Sequence, residues 1–259
     1  MCSVNQLRAA FSLVELSIVL VILGLLTGGI LSGQSLIRAA EIRTVSTDYQ
    51  KYMTAIYSFR DKYFALPGDM AMATKFWPAA DGSTGSTAGC MTQTSTSATC
   101  NGNGDGQITT STASYEPWRI PQHLALSGLI EGSYPGWATT PTPGVVAPRM
   151  KVDATAVVFV EYGAIAGTTQ YFSMPAGHNG SIFTLTAPYT FLTPQEAWNV
   201  DTKMDDGRPS QGKVWGYKGT TAQPCTDRAN QAAGAADAAA VYNLLHTGKA
   251  CYVDFPSAF

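Results

Sequence analysis

The sequence predicts an α+β fold: a long N-terminal α-helix, partly transmembrane, followed by a globular head containing an antiparallel β-sheet. Three observations predict it. Residues 11–33 are apolar apart from a single charge. Helical periodicity then continues to residue 66, where Pro67-Gly68 stops it. Beyond that point come short β-branched and aromatic runs between turn residues.

The apolar run comes first. As a helix, residues 11–33 reach about 34 Å, enough to cross the hydrocarbon core of a bilayer. A secretory signal peptide has a shorter apolar core, with its small residues after it. Here the small residues, Ala9 and Ala10, come before the core, and Arg8 lies on the side that the positive-inside rule assigns to the cytoplasm. A cut after Ala10 removes a polar leader (1–10) and leaves the apolar helix on the mature chain. The alternative is a signal anchor that tolerates an acid near its polar end.

That acid is Glu15. A lone carboxylate in a membrane helix costs about 2.5–3.5 kcal/mol on insertion scales. Cleavage before Phe11 creates an α-amine one helical turn away. The amine offsets the carboxylate in the same subunit or in a neighbour, and a neighbour one axial step away is pulled into register. Phe11 and Glu15 are therefore candidate assembly residues, and Ala10 and Phe11 the candidate processing site.

Past the apolar run, Ile42, Val45, Tyr49, Tyr52, Met53, Ile56, Phe59 and Tyr63 recur at three- and four-residue steps. Arg43, Asp48, Lys51, Arg60 and Asp61 fall largely elsewhere on the wheel. The whole helix, 11–66, extends about 80 Å. One domain cannot bury that length, so the first half belongs in a membrane or among copies of itself. The second half carries the head, residues 67–259.

Within the head, 81–114 reads as a Gly/Ser/Thr/Asn-rich loop. A short helix falls within 118–132, ending near Gly128 or Gly132, and 135–148 is a Pro/Gly/Thr connector. Strands are expected over 155–162, 170–173, 181–187, 213–217 and 250–255. Thr193-Pro194-Gln195-Glu196 is a helix start, with Thr193 as N-cap and Pro194 in the first turn, and that helix runs to about Lys203. No internal repeat is visible.

Composition narrows the function. The 259 residues carry 16 Lys+Arg against 18 Asp+Glu, and charged residues make up only 13%. Small polar residues replace them, which suits an extracellular surface. No basic patch stands out, so nucleic acid is not an expected ligand. Cys2 precedes the apolar run; Cys90, Cys100, Cys225 and Cys251 follow it. Four cysteines beyond a membrane segment read as two disulfides in an oxidising compartment. The sequential pairing, Cys90–Cys100 and Cys225–Cys251, is preferred among three connectivities. Buried free thiols are the alternative.

The stretch Ala10-Phe11-Ser12-Leu13-Val14-Glu15-Leu16 resembles the processing site of type IV pilins and type II secretion pseudopilins. The resemblance covers about the first 60 residues. It implies cleavage before Phe11 by prepilin peptidase, N-methylation of Phe11, and a role in assembly for Glu15, the family's acid shortly after the cut. One departure is that Ala10 stands where the family usually has Gly, which implies slower cleavage. Gly24, Gly28, Gly29 and Gly33 punctuate the helix where many pilins have a Pro, and Ser32 occupies the corresponding place. Their spacing allows close helix approach, and each weakens the helix by about 1 kcal/mol relative to Ala. Local unwinding in a filament and plain close packing both remain open.

Two further motifs offer chemistry. Asn101-Gly102-Asn103-Gly104-Asp105-Gly106-Gln107-Ile108 matches the first eight positions of an EF-hand-type loop, making Asn101, Asn103 and Asp105 candidate calcium ligands. The twelfth position is Thr112 rather than Glu, and a glycine-rich turn stapled by Cys90–Cys100 is the competing reading. Asp201, Asp205 and Asp206 crowd a helix C-terminus, where acids oppose the dipole; hydrogen bonding of the following loop is favoured there over a metal. His123, His178 and His246 lack metal-ligand spacing, and no catalytic motif is present, so an enzyme is not expected.

The expected function is a structural subunit of a type IV pilus-like extracellular filament, a helical homo-oligomer built by inner-membrane assembly machinery. It resides in a bacterial inner membrane before assembly and in an extracellular or periplasmic filament after it. The alternatives are a type II secretion pseudopilin and a membrane-anchored glycan-binding minor pilin or adhesin, with an enzyme tethered by the helix as a further class.

Overall fold

A computed structural model of the chain describes residues 12–82, 85, 90, 92–108, 116–138, 142–154, 156–161, 171–174, 190–218, 224–227 and 239–256. The leader, Ala10, Phe11 and the strand expected over 181–187 lie outside these residues. The chain forms two compact units, Met1–Glu41 and Ile42–Phe259.

The first unit holds the apolar part of helix α1 (Leu13–Tyr63). Leucine, isoleucine and valine side chains from Leu13 to Ile37 are all more than half exposed or at the half mark, and Leu25 and Leu36 are above 70%. This is the one helix among the described residues long and apolar enough to cross a membrane, and none of its most apolar stretch is buried. Arg38 and Glu41 form an i,i+3 ion pair at 3.2 Å at the end of this unit.

In the second unit the remainder of α1 buries Val45, Asp48, Tyr52, Met53, Ala55, Ile56 and Phe59. These residues follow mainly three- and four-residue steps, so they form one stripe that the core covers. The helix ends at Tyr63, not at the expected residue 66. Phe64 takes a left-handed φ of 52°, and its N–H donates to the Arg60 carbonyl at 2.8 Å. A helix closes where a residue enters that region, so Phe64 stops it three residues before Pro67.

A 3₁₀ turn (Ala73–Lys75) and helix α2 (Glu116–Leu126) follow. Pro117 sits in the first turn of α2, where its missing N–H has no helical partner to lose. Gly128, with φ 73°, follows the last turn. Helix α3 (Pro194–Met204) begins as the sequence predicts. Thr193 Oγ1 accepts from the Glu196 N–H, and Glu196 Oε2 accepts from the Thr193 N–H, a reciprocal capping box.

Four strands form one antiparallel sheet: β1 (Phe159–Glu161), β2 (Tyr171–Met174), β3 (Trp215–Lys218) and β4 (Cys251–Pro256), in the order β1-β2-β4-β3. Strand β4 is central, and Cys251 to Phe255 are buried without a break. Alternation is absent because both faces are covered. Tyr49 of α1 stacks on Phe255 at 4.3 Å between ring centroids, α3 packs on β3 and β4, and α2 on β1. The chain is thus α+β, with a long apolar N-terminal helix and an antiparallel sheet. Two disulfides close the sequential pairs, Cys90–Cys100 and Cys225–Cys251. The second ties the loop before it to the first residue of the central strand.

Candidate functional site

The start of α1 is the first candidate. Ser12 is its N-cap: the Leu16 N–H donates to the Ser12 carbonyl at 3.2 Å, the first helical hydrogen bond. Ser12 Oγ accepts from the Val14 N–H at 3.3 Å. In return, Glu15 Oε2 accepts from the Ser12 N–H at 3.0 Å. These two bonds satisfy amides that the first turn leaves without helical partners. Glu15 therefore has a local partner within its own turn. The Ser-x-x-Glu spacing before an apolar run is the sequence signature of this arrangement, and it is visible in Ser12-Leu13-Val14-Glu15. Reading Glu15 only as a partner for the Phe11 amine misses it. Further along, Gly24, Gly28, Gly29 and Gly33 have open space where a Cβ would stand.

The glycine-rich loop is the second candidate. Asn101 Oδ1 accepts from the N–H and hydroxyl of Thr74, at 2.9 and 3.1 Å. Asn103 Oδ1 accepts from the Asp105 N–H at 3.0 Å, and Asn103 Nδ2 donates to Asp105 Oδ2 at 2.9 Å. Asp105 Oδ1 accepts from the Gln107 N–H at 2.8 Å, and Glu116 Oε1 accepts from the Asn103 N–H at 3.2 Å. The loop amides, meanwhile, converge on Asp69. Gly104, Asp105 and Gly106 donate to its carboxylate at 2.6, 3.2 and 2.9 Å. Burial pushes the Asp69 carboxyl above its ordinary range, against the pull of these donors. A Cβ on Gly102 would lie 2.3 Å from the Asp69 carbonyl carbon, so only glycine lets the loop approach that closely. The candidate ligands Asn101, Asn103 and Asp105 thus direct oxygens to the protein's own donors, and the loop wraps a carboxylate. A calcium ion would have to displace these bonds, with one carboxylate in the set to compensate. The donor set fits internal bracing of the loop better than a cation.

The acidic cluster is the third. Asp201, Asp205 and Asp206 each bring a carboxylate oxygen within 4.8 Å of the others. Asp201 is fully buried. It accepts from the Tyr242 hydroxyl at 2.8 Å and from the Gly207 N–H at 3.0 Å. Burial raises its carboxyl to about 7, and the neighbouring acids push the same way. Asp205 accepts from the Lys213 and Val214 amides, and Asp206 from the Arg208 amide. The acids at the end of α3 pin the loop that leads into β3.

A buried polar chain links the first disulfide to α2. Arg119 Nη2 donates to the Cys90 carbonyl at 2.9 Å and the Gln93 carbonyl at 2.7 Å, and its Nη1 to Gln122 Oε1 at 3.0 Å. Thr99 Oγ1 donates to Gln122 Oε1 at 2.8 Å and meets His123 Nε2 at 2.8 Å. His123 Nδ1 accepts from the Gly68 N–H at 2.9 Å. An acceptor at Nδ1 requires a neutral ring with its proton on Nε2. Burial, aided by Arg119, lowers the ring to about 3 in agreement. This histidine is an internal strut.

Near the end of α1, a cavity of about 670 Å³ is lined by Arg60, Tyr63, Phe64, Met72 and Phe76 among others. Phe64 is 93% exposed there. Compared with known proteins, the chain matches no family model, no curated protein and no solved structure.

Proposed function

We propose that the chain is a structural subunit of a type IV pilus-like filament, trimmed before Phe11 and polymerised through the apolar half of α1. The observation that carries this reading is a long apolar helix with no protein cover, bearing one acid at its start. Water cannot be the resting solvent for so much apolar surface. A bilayer covers it before assembly, and copies of the same helix cover it afterwards. Moving from lipid to a helix bundle gains little from the hydrophobic effect. Close packing at small residues such as Gly24, Gly28, Gly29 and Gly33, together with the pairing of Glu15 and a neighbour's Phe11 amine, supplies register and specificity. The low charge and the two disulfides suit a head displayed outside the cytoplasm.

The test is Glu15→Leu. The variant still enters the membrane, because replacing a carboxylate with an apolar side chain removes a cost of insertion. It builds no filaments, as electron microscopy of sheared surface material will show. Wild-type amounts of filament from this variant overturn the reading in favour of a tether.

A further inference from the structure

The end of α1 leaves apolar side chains in water beside a cation. Phe64 is 93% exposed, Phe76 58% and Met72 54%. With Arg60 and Tyr63 they line the cavity of about 670 Å³, a size suited to a small molecule. Single exposed apolar residues are ordinary on a protein surface, but several around one concavity mark a binding surface. The cavity lies within Ile42–Phe259 and does not depend on trimming or polymerisation at the apolar helix.

Two further observations bear on what the cavity holds. The first is Phe64, the only non-glycine with a left-handed φ among the described residues. Backbone strain of this kind gathers at ligand sites, where the surrounding fold maintains it. Glycine would relieve the strain, yet the chain places a ring there and leaves it in water. The second is Arg60, one turn earlier, whose carbonyl accepts from the Phe64 N–H at 2.8 Å. Among the described residues its guanidinium has no ion pair and no hydrogen bond. The acid on the lining, Asp69, has both carboxylate oxygens held by the Gly104, Asp105 and Gly106 amides. A second cation of the last turn, Lys62, sits 5.1 Å from the Tyr63 ring centroid and adds positive charge. A helix C-terminus favours cations in its last turn, but that attraction leaves the five guanidinium donors unused.

We propose that this cavity binds a small aromatic carboxylate, with Arg60 pairing with the carboxylate and the rings of Phe64 and Phe76 taking the ligand's ring. A planar guanidinium meets a carboxylate with two parallel N–H···O bonds. Phenyl rings accept a further ring offset or edge-on, and a methionine sulfur such as that of Met72 packs well at a ring edge. An inorganic anion would use Arg60 and leave the rings in water. A neutral apolar molecule would cover the rings and leave Arg60 unpaired. A sugar acid carries the charge but turns hydroxyls toward Phe64, Met72 and Phe76. A ligand bearing both a carboxylate and an aromatic ring satisfies both halves of the site.

The experiment is equilibrium dialysis of 2-naphthoate against the full-length chain in lipid nanodiscs, with empty nanodiscs as the blank. The wild type binds saturably. Arg60→Gln weakens binding roughly 10-fold or more, the size of a charge-assisted pair. The neutral analogue 2-naphthamide binds the wild type roughly 10-fold more weakly than the acid does, and binds Arg60→Gln equally well. Phe64→Gly weakens naphthoate binding roughly 2- to 10-fold, the span of a lost aromatic pair. Its unfolding midpoint stays at or above that of the wild type, so the lost affinity is not a lost fold. Glucuronate binds the wild type more weakly than naphthoate. Absence of saturable binding to the wild type overturns the inference, as do equal affinities for acid and amide. Wild-type affinity in Arg60→Gln or in Phe64→Gly overturns it too. Tighter binding of glucuronate overturns the aromatic class in favour of a sugar acid. None of these outcomes depends on whether the chain forms filaments.

Discussion

At the scale of single residues, three carboxylates illustrate how burial and partners decide what an acid does. Glu15 is exposed and bonded to the Ser12 amide in its own turn. Asp69 is buried but receives three amides. Asp201 is buried among other acids and is perturbed most, with its carboxyl raised to about 7 from an ordinary 3.8. A group whose folded pKa exceeds its unfolded value holds its proton longer in the folded state. Its contribution is complete below about pH 4 and is lost as the pH rises to about 7. Asp201→Asn cannot titrate. Denaturant unfolding of the wild type should therefore lose up to about 1.4 kcal/mol per pH unit relative to Asp201→Asn across this window. Parallel stability–pH curves for the two proteins would show that Asp201 titrates normally.

At the scale of elements, helix α1 ends on an unusual residue. Phe64 occupies the left-handed position that Gly most often fills, and its ring is almost wholly exposed. Phe64→Gly should raise the unfolding free energy by about 1 kcal/mol, since backbone strain is relieved and little burial is lost. A loss of stability would mean that ring contacts at the neighbouring cavity outweigh the strain. The same position explains why the helix end is misread in sequence, where Pro67-Gly68 is the stronger stop signal. Other elements are legible because their signals are local. The apolar run and its four-residue steps mark α1, and Thr193-Pro194-Gln195-Glu196 marks the start of α3. What stays hidden depends on partners distant in sequence. Nothing near Asn101 announces that its oxygen serves Thr74, or that the next glycines present their amides to Asp69. The Ser12 cap is the opposite case, a local signal overshadowed by the charge beside it.

At the scale of the whole molecule, the two units have different needs. Ile42–Phe259 owns a core, two disulfides and a covered central strand, and its apolar stripe on α1 is fully used. Met1–Glu41 contains apolar side chains without cover among the described residues. A chain organised in this way needs a second solvent, which under the filament reading is first lipid and then copies of itself. The most direct test is intact-mass analysis of the protein recovered from sheared surface filaments. The filament reading predicts a chain that starts at Phe11, carries one added methyl group and retains both disulfides. Filament-borne protein that still begins at Met1 would contradict it.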